Sequence, residues 1–170
     1  TVSISDSYSD SYLTGDYTGG LIAYNESSGT ISSCYTAGYQ TARISAGGFV
    51  GEVGVAADKL VIQNGYTAVT WLTWNFDGTE AATKRYAVAG YPVKENVYYL
   101  NSGNQELNSG NQEGDKTEFG TKVGYKQLSK RDTMVTKLNS SSFVSSAKST
   151  TPYNLKNQGL SSYSYPSING

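Results

Sequence analysis

The chain has 170 residues, a formal net charge of −1 and no histidine, with 13 basic and 14 acidic residues. The lack of histidine excludes a cysteine–histidine enzyme and a Ser-His-Asp hydrolase, because both use an imidazole base. The balanced charge, without a basic stripe, argues against a nucleic-acid partner, and no apolar run approaches the roughly 20 residues that a membrane span needs.

Three aspartates, Asp6, Asp10 and Asp16, stand near the start of the chain among serines and tyrosines. A Ca²⁺ ion takes about six to eight oxygen ligands, and a loop rich in Asp and Ser supplies several of them. Two other interpretations stay open: the acids form turns and solvated faces, or two of them form the acid/base pair of a polysaccharide-cleaving β-helix. Their spacing matches no known calcium loop, so a metal site on these residues is a hypothesis, and no other cofactor is predicted.

A repeat with doubled glycines follows. Residues 19–23 (GGLIA) return 28 positions later at 47–51 (GGFVG), and residues 3–8 (SISDSY) return 27 positions later at 30–35 (TISSCY). A repeat of roughly 20–50 residues indicates a stacked architecture, in which one unit is too small to bury its own apolar face. Each unit consists of short β-type runs joined by Gly, Asn and Ser turns. The sequence therefore predicts the coils of a β-solenoid, and the candidates for its interior are Leu21, Ala23, Ile31, Cys34, Phe49 and Val50.

The run GGLIAYN at 19–25, followed by GTISSCYTAG at 29–38, resembles the GLUG repeat of bacterial surface proteins, which include some adhesins and IgA-protease-like proteins. The likeness covers residues 1–54 and, in degraded form, residues 55–100. Ala23 departs from it, since the family's pattern has a third glycine there. Together with the repeat, the resemblance implies a mainly β protein, a right-handed parallel β-helix or β-solenoid of about three to four coils, with a C-terminal cap that contains one short helix. It brings no catalytic motif to this chain, and a fold alone supplies none.

Aromatic residues are concentrated in and just after the third unit of the repeat, which begins at residue 60. Residues 60–68 repeat the second unit at an offset of 31, which puts Tyr66 in the place of Tyr35. In the run that follows, strand alternation puts Trp71 and Trp74 on opposite faces. A narrow core cannot take both faces, so one set packs beneath the C-terminal segment or stays exposed as a contact for a sugar ring or a protein. The residues predicted to bind such a ligand are Trp71, Trp74 and Tyr66.

The C-terminal part differs in composition. Residues 100–113 hold LNSGNQE twice in tandem and are expected to form a polar loop, because Asn-Ser-Gly at this density opposes a helix. One short helix is expected over residues 125–139, with Ser129 and Asp132 as a capping pair. The resemblance implies that this segment covers the end of the solenoid, where backbone groups are otherwise unpaired. The residues expected to complete the cover are Phe143, Tyr153, Leu155, Tyr163, Tyr165 and Ile168.

We therefore divide the chain into solenoid coils at residues 1–100, a polar loop at 101–124 and a capping segment at 125–170. The chain begins in mid-repeat, so we expect it to be a piece of a longer protein. In that protein, more N-terminal coils of the same chain would cover the edge of the first coil.

The resemblance implies a non-catalytic module of a secreted or cell-surface bacterial protein, which acts in adhesion or in the display of other domains. Its implied partners are a protein or a glycan of a host or cell surface. The aromatic residues and acids leave an alternative open, a carbohydrate-binding or polysaccharide-cleaving β-helix domain. A third interpretation is a structural protein that polymerises through open solenoid edges.

Overall fold

The computed structural model describes residues 1–54, 60–82, 84–100, 119–145 and 165–168. These residues form eleven β-strands and two short α-helices. In chain order they are β1 (Val2–Ser5), β2 (Tyr8–Gly19), β3 (Ile22–Asn25), β4 (Gly29–Gly47), β5 (Val50–Val53), β6 (Leu60–Trp71), β7 (Arg85–Tyr86), β8 (Glu95–Leu100), β9 (Thr121–Val123), α1 (Tyr125–Leu128), α2 (Arg131–Leu138), β10 (Phe143–Val144) and β11 (Ser167–Ile168).

The strands stack as a parallel β-solenoid of about three turns. The first coil (β1–β3) lies on the second (β4 and β5), where Tyr8 pairs with Tyr35 and Gly19 pairs with Gly47. The third coil starts with β6, which puts Tyr66 on Tyr35. These pairs confirm the sequence offsets of 27, 28 and 31 residues, and with them the predicted parallel β-solenoid. β8 and β9 continue the stack, so β9 lies within the segment that the sequence assigned to a polar loop.

The second glycine of each doublet makes room for a threonine of the next coil. The Thr36 hydroxyl donates to the carbonyl oxygen of Gly48 (2.8 Å), and the Thr67 hydroxyl donates to that of Ala87 (2.7 Å). A Cβ on Gly20 would lie 2.4 Å from Cγ2 of Thr36, and one on Gly48 would lie 2.6 Å from Cγ2 of Thr67. Any larger side chain would therefore push successive coils apart at the turn.

Apolar side chains from successive coils fill the interior of the solenoid. Leu21 packs against this core and is half-buried. The prediction for Ala23 is wrong, since this residue of β3 is exposed, as is the adjacent Tyr24. The other predicted interior residues are fully buried, namely Ile31, Cys34, Phe49 and Val50.

The described part of the C-terminal segment packs against the side of the solenoid. It covers the outer face of β4, β6 and β8, where Tyr35 and Tyr66 form an apolar row with small neighbours. The sequence predicted a cover over the end of the stack, whereas the described cover packs on this outward apolar row and buries it. The tandem repeat at 101–113 and the residues Tyr153, Leu155 and Tyr163 lie outside the described residues. The residues of the cover that contact the row are Leu128, Met134, Leu138, Phe143, Tyr165 and Ile168.

The expected helix over residues 125–139 is divided into α1 and α2. The expected capping pair is not formed, because α2 starts after Lys130 without a side-chain cap. The Ser129 hydroxyl instead donates to the carbonyl oxygen of Lys126 (3.4 Å). The cover therefore depends on the buried Leu138 and its apolar neighbours rather than on helix capping.

Candidate binding surface

The structure places the three predicted ligand-binding residues in different environments. The Tyr66 side chain is fully buried beneath the cover, where its hydroxyl donates to the carbonyl oxygen of Pro166. Trp71 is 7% exposed and packs with alanine and valine side chains of β4 and β6. These two predictions are therefore wrong, because neither ring reaches the surface to contact a ligand. Trp74 is different, since 62% of its area is exposed.

A loop over residues 72–82 interrupts the third coil and carries the exposed tryptophan. The offset between the second and third coils is 31 residues along β6 but 39 residues where Gly47 pairs with Tyr86, so eight extra residues leave the stack. The loop turns at Gly78, whose N–H donates to the carbonyl oxygen of Asn75 (3.0 Å). Gly78 has a φ of +80°, which glycine adopts without steric cost.

Hydrogen bonds hold the 72–82 loop against the second coil. The Asn75 side chain is buried, and its Oδ1 accepts a bond from the Thr41 hydroxyl (2.7 Å). Its Nδ2 donates to Oγ1 of Thr79 (3.1 Å) and to the carbonyl oxygen of Glu80 (3.2 Å). Backbone N–H groups at both ends of the loop donate to carbonyl oxygens of β4 (2.9 and 2.8 Å). The loop is thus fixed in position at its ends and at its centre.

The rings of Tyr12, Tyr39 and Phe76 are in contact, and the exposed Trp74 lies two residues before Phe76 in the same loop; we call these four residues the aromatic surface. The rings of Phe76 and Tyr12 lie 4.9 Å apart between centroids at an angle of 35°, and Tyr12 lies 6.1 Å from Tyr39. Phe76 is 73% exposed and Tyr12 is 47% exposed. Trp74 and Phe76 flank the buried Asn75, so both rings project from the loop into solvent. The surface thereby combines residues from all three coils.

Sequence reasoning missed three members of this surface. Tyr12 and Tyr39 pair at the same 27-residue offset as Tyr8 and Tyr35, so the repeat carried the signal for their alignment. Strand alternation puts Phe76 on the same face as Trp74, but no sequence signal indicates its contact with Tyr12, because that contact depends on where the inserted loop folds back.

A charged group adjoins the aromatic surface and also joins the three coils. Arg43, in a bulge of β4, binds Asp16 through Nη1 (3.2 Å) and Asp77 through Nη2 (2.9 Å). All three side chains are exposed, so these pairs add little to stability. Hydrogen bonds from the hydroxyl and the N–H of Thr79, and then from Arg43, lower the pKa of Asp77 to about 2. Asp77 is therefore ionised at neutral pH, and the group presents one cation between two anions.

The three aspartates of the calcium hypothesis do not form a site. Asp6 accepts a hydrogen bond from the Ser142 hydroxyl, and Asp16 is paired with Arg43. Partial burial raises the pKa of the Asp10 carboxyl above its ordinary value. Within the described ranges, no three His, Cys, Asp or Glu side chains lie close enough to hold a metal ion. The predicted grouping is wrong because Asp6 and Asp16 are bound to different neighbours and the three acids do not come together in the stack.

No protein-family model matches the chain, and no curated protein or solved structure matches it significantly. The resemblance of residues 19–38 to GLUG repeats accordingly stays a prediction. In the part of the chain that the structure describes, no helix has the length and apolar character to cross a membrane.

Proposed function

We propose that the chain is a non-catalytic module of a secreted or cell-surface bacterial protein, with a role in adhesion or display. The observation that carries this proposal is the aromatic surface, in which the rings of Tyr12, Trp74 and Phe76 are exposed on a scaffold of stacked coils. The resemblance to GLUG repeats supports the bacterial surface location.

Two properties of the aromatic surface favour binding. Large exposed rings are costly in water, and a group of them marks a contact site more often than single apolar residues do. The rings of Trp74 and Phe76 also stand on a loop that Asn75 anchors, so little conformational entropy would be lost when a partner binds. A rigid aromatic contact beside a charged group suits a partner that has both apolar and polar surface.

We propose a protein or a glycan of a host or cell surface as the partner. The exposed Trp74 favours the carbohydrate-binding alternative, because a flat indole face packs against the C–H face of a sugar ring. A polysaccharide-cleaving role receives less support, since Asp6 and Asp16 are each bound to a different neighbour rather than placed as an acid/base pair.

The experiment compares binding of the parent chain and single variants to a glycan array and to a panel of immobilised extracellular proteins. Trp74→Ala and Phe76→Ala are expected to lower binding at least about tenfold, as buried aromatic contacts at interfaces do. Tyr24→Ala is the matched control, because Tyr24 is 44% exposed and contacts Tyr17 rather than the aromatic surface. A parent chain that binds neither array, or an equal loss in all three variants, would contradict the proposal.

A further inference from the structure

We propose that the outer edge of the first coil, formed by β1, β2 and β3, is a docking surface for a further parallel coil of the same repeat. This inference concerns the unpaired strand edge of the first coil, whose β2 also carries Tyr12 of the aromatic surface, and it is independent of the ligand proposed for that surface.

The backbone of the first coil supplies the first argument. The second coil is paired on both sides, since β4 pairs with β1 and β2 on one side and with β6 on the other. Among the described strands, β1, β2 and β3 are each paired on one side only. Such an edge is a template for another strand, and proline and lysine are among the residues that block one. Residues 1–25 contain neither, and their charged side chains are those of Asp6, Asp10 and Asp16.

The burial of equivalent side chains supplies the second argument. Ile31 and Ile62 occupy the same interior column as Ile4 and are fully buried. Ile4 is only half-buried, because it has a neighbouring coil on one side. Leu21 and Phe49 show the same contrast, with Phe49 fully buried and Leu21 half-buried. The interior of the solenoid is therefore open at the first coil, and a further coil would bury it.

The column of tyrosines supplies the third argument. The ring centroids of Tyr8 and Tyr35 are 5.0 Å apart with planes at 7°, and those of Tyr35 and Tyr66 are 5.1 Å apart with planes at 2°. Tyr35 is 3% exposed and Tyr66 is 0% exposed, whereas Tyr8 is 60% exposed. A tyrosine one rung further out would stack on the free face of Tyr8 at the same spacing.

These columns select a parallel coil over a second copy of the chain. Each of the three coils carries Ile-x-x-x-Tyr, at residues 4–8, 31–35 and 62–66, so a parallel coil with this pattern aligns both columns at once. A two-fold dimer would pair the edges antiparallel and would set the isoleucine and tyrosine columns against other side chains. Head-to-tail stacking would have only β9, a strand of three residues, to pair with at the opposite end of the described sheet.

The test inserts a second copy of residues 2–28 directly before Val2. Ser28 of the added copy then directly precedes Val2, just as the native Ser28 directly precedes Gly29. Val2 and Gly29 are partners in the stack, so the two junctions between coils are equivalent. We expect the rate of amide hydrogen exchange in the original β2 to fall at least about tenfold, because β2 becomes an interior strand. The melting temperature should rise for the same reason. The control is the same insertion with Ile4→Lys and Tyr8→Asp in the added copy, which should protect β2 much less.

Three outcomes would overturn the inference. Equal protection of β2 by both insertions would show that register and side chains do not matter. No protection by the intact copy, while β6 amides keep their native exchange rates, would show that the edge does not accept a coil although the protein is folded. If sedimentation of the parent chain shows a concentration-dependent dimer, and the β2 amides are protected from exchange in that dimer, the edge would be assigned to a second copy of the chain instead.

Discussion

The hydroxyl of Thr41 in β4 donates a 2.7 Å hydrogen bond to Oδ1 of Asn75 in the 72–82 loop, and both side chains are buried. The amide group of Asn75 also donates to two groups on the far side of the loop. A single side chain thus closes the loop and attaches it to the second coil. The exposed rings on either side of Asn75 owe their position to these bonds.

Replacing Thr41 by valine should lower the free energy of unfolding by about 1–3 kcal/mol, because Oδ1 of Asn75 would lose its donor in a buried place. Chemical denaturation measures this change. Thr73→Val is the matched control, since Thr73 is exposed in the same loop, and it should alter stability by less than about 0.5 kcal/mol. Equal effects of the two substitutions would show that the buried hydrogen bond does not anchor the loop.

Replacing a tyrosine of the column formed by Tyr8, Tyr35 and Tyr66 should lower the free energy of unfolding more where the ring is more deeply buried. Tyr66→Ala should cost about 3–5 kcal/mol, because the ring is fully buried between Tyr35 and the cover. Tyr66→Phe should cost about 1 kcal/mol through loss of the hydrogen bond to Pro166. Tyr8→Ala should cost less than about 1 kcal/mol, since Tyr8 is 60% exposed. Urea unfolding of the three variants checks the order, and a larger loss at Tyr8 than at Tyr66 would refute it.

The register of the coils could be predicted from the sequence because it is a repeated local pattern. Doubled glycines recur wherever a threonine of the next coil must fit, as Gly48 does for Thr67, so the period is visible without knowledge of distant contacts. Alternation likewise separated Trp71 from Trp74, and the structure buries the first and exposes the second. Alternation alone could not say which face would be covered.

The rest of the site depends on contacts between residues that no local pattern connects. The 72–82 loop is fixed by the pairing of Thr41 with Asn75, and Phe76 meets Tyr12 only after that loop has folded back. The lateral position of the cover follows from the outward row of tyrosines, and the sequence also allows these tyrosines to face solvent. Such features arise from tertiary packing, which propensity and periodicity do not specify.

Replacing Gly48 by alanine should destabilise the solenoid by about 1–3 kcal/mol or more, as overpacking does. The new Cβ would lie 2.1 Å from the backbone oxygen of Ala87, so relief requires a shift between coils. Gly124→Ala is the matched control, because the nearest atom to its Cβ is the flexible end of Gln127 at 3.8 Å. The control should change stability by less than about 0.5 kcal/mol in thermal unfolding. A similar loss at both glycines would show that close contact between coils is not the cause.

Acid titration should reveal the bonds of Asp77. Hydrogen bonds lower its pKa from an ordinary value of 3.8 to about 2, and the hydroxyl of Thr79 contributes most, followed by its N–H and by Arg43. A lowered pKa means that these bonds favour the folded loop above pH 3.8 and that their contribution is lost as the pH falls toward 2. Thr79→Val and Arg43→Gln should therefore each raise the pKa of Asp77, since each removes a group that stabilises the carboxylate. Carboxyl carbon chemical shifts followed by NMR measure the pKa in both variants, and an unchanged pKa in Thr79→Val would show that the turn does not hold this carboxylate ionised.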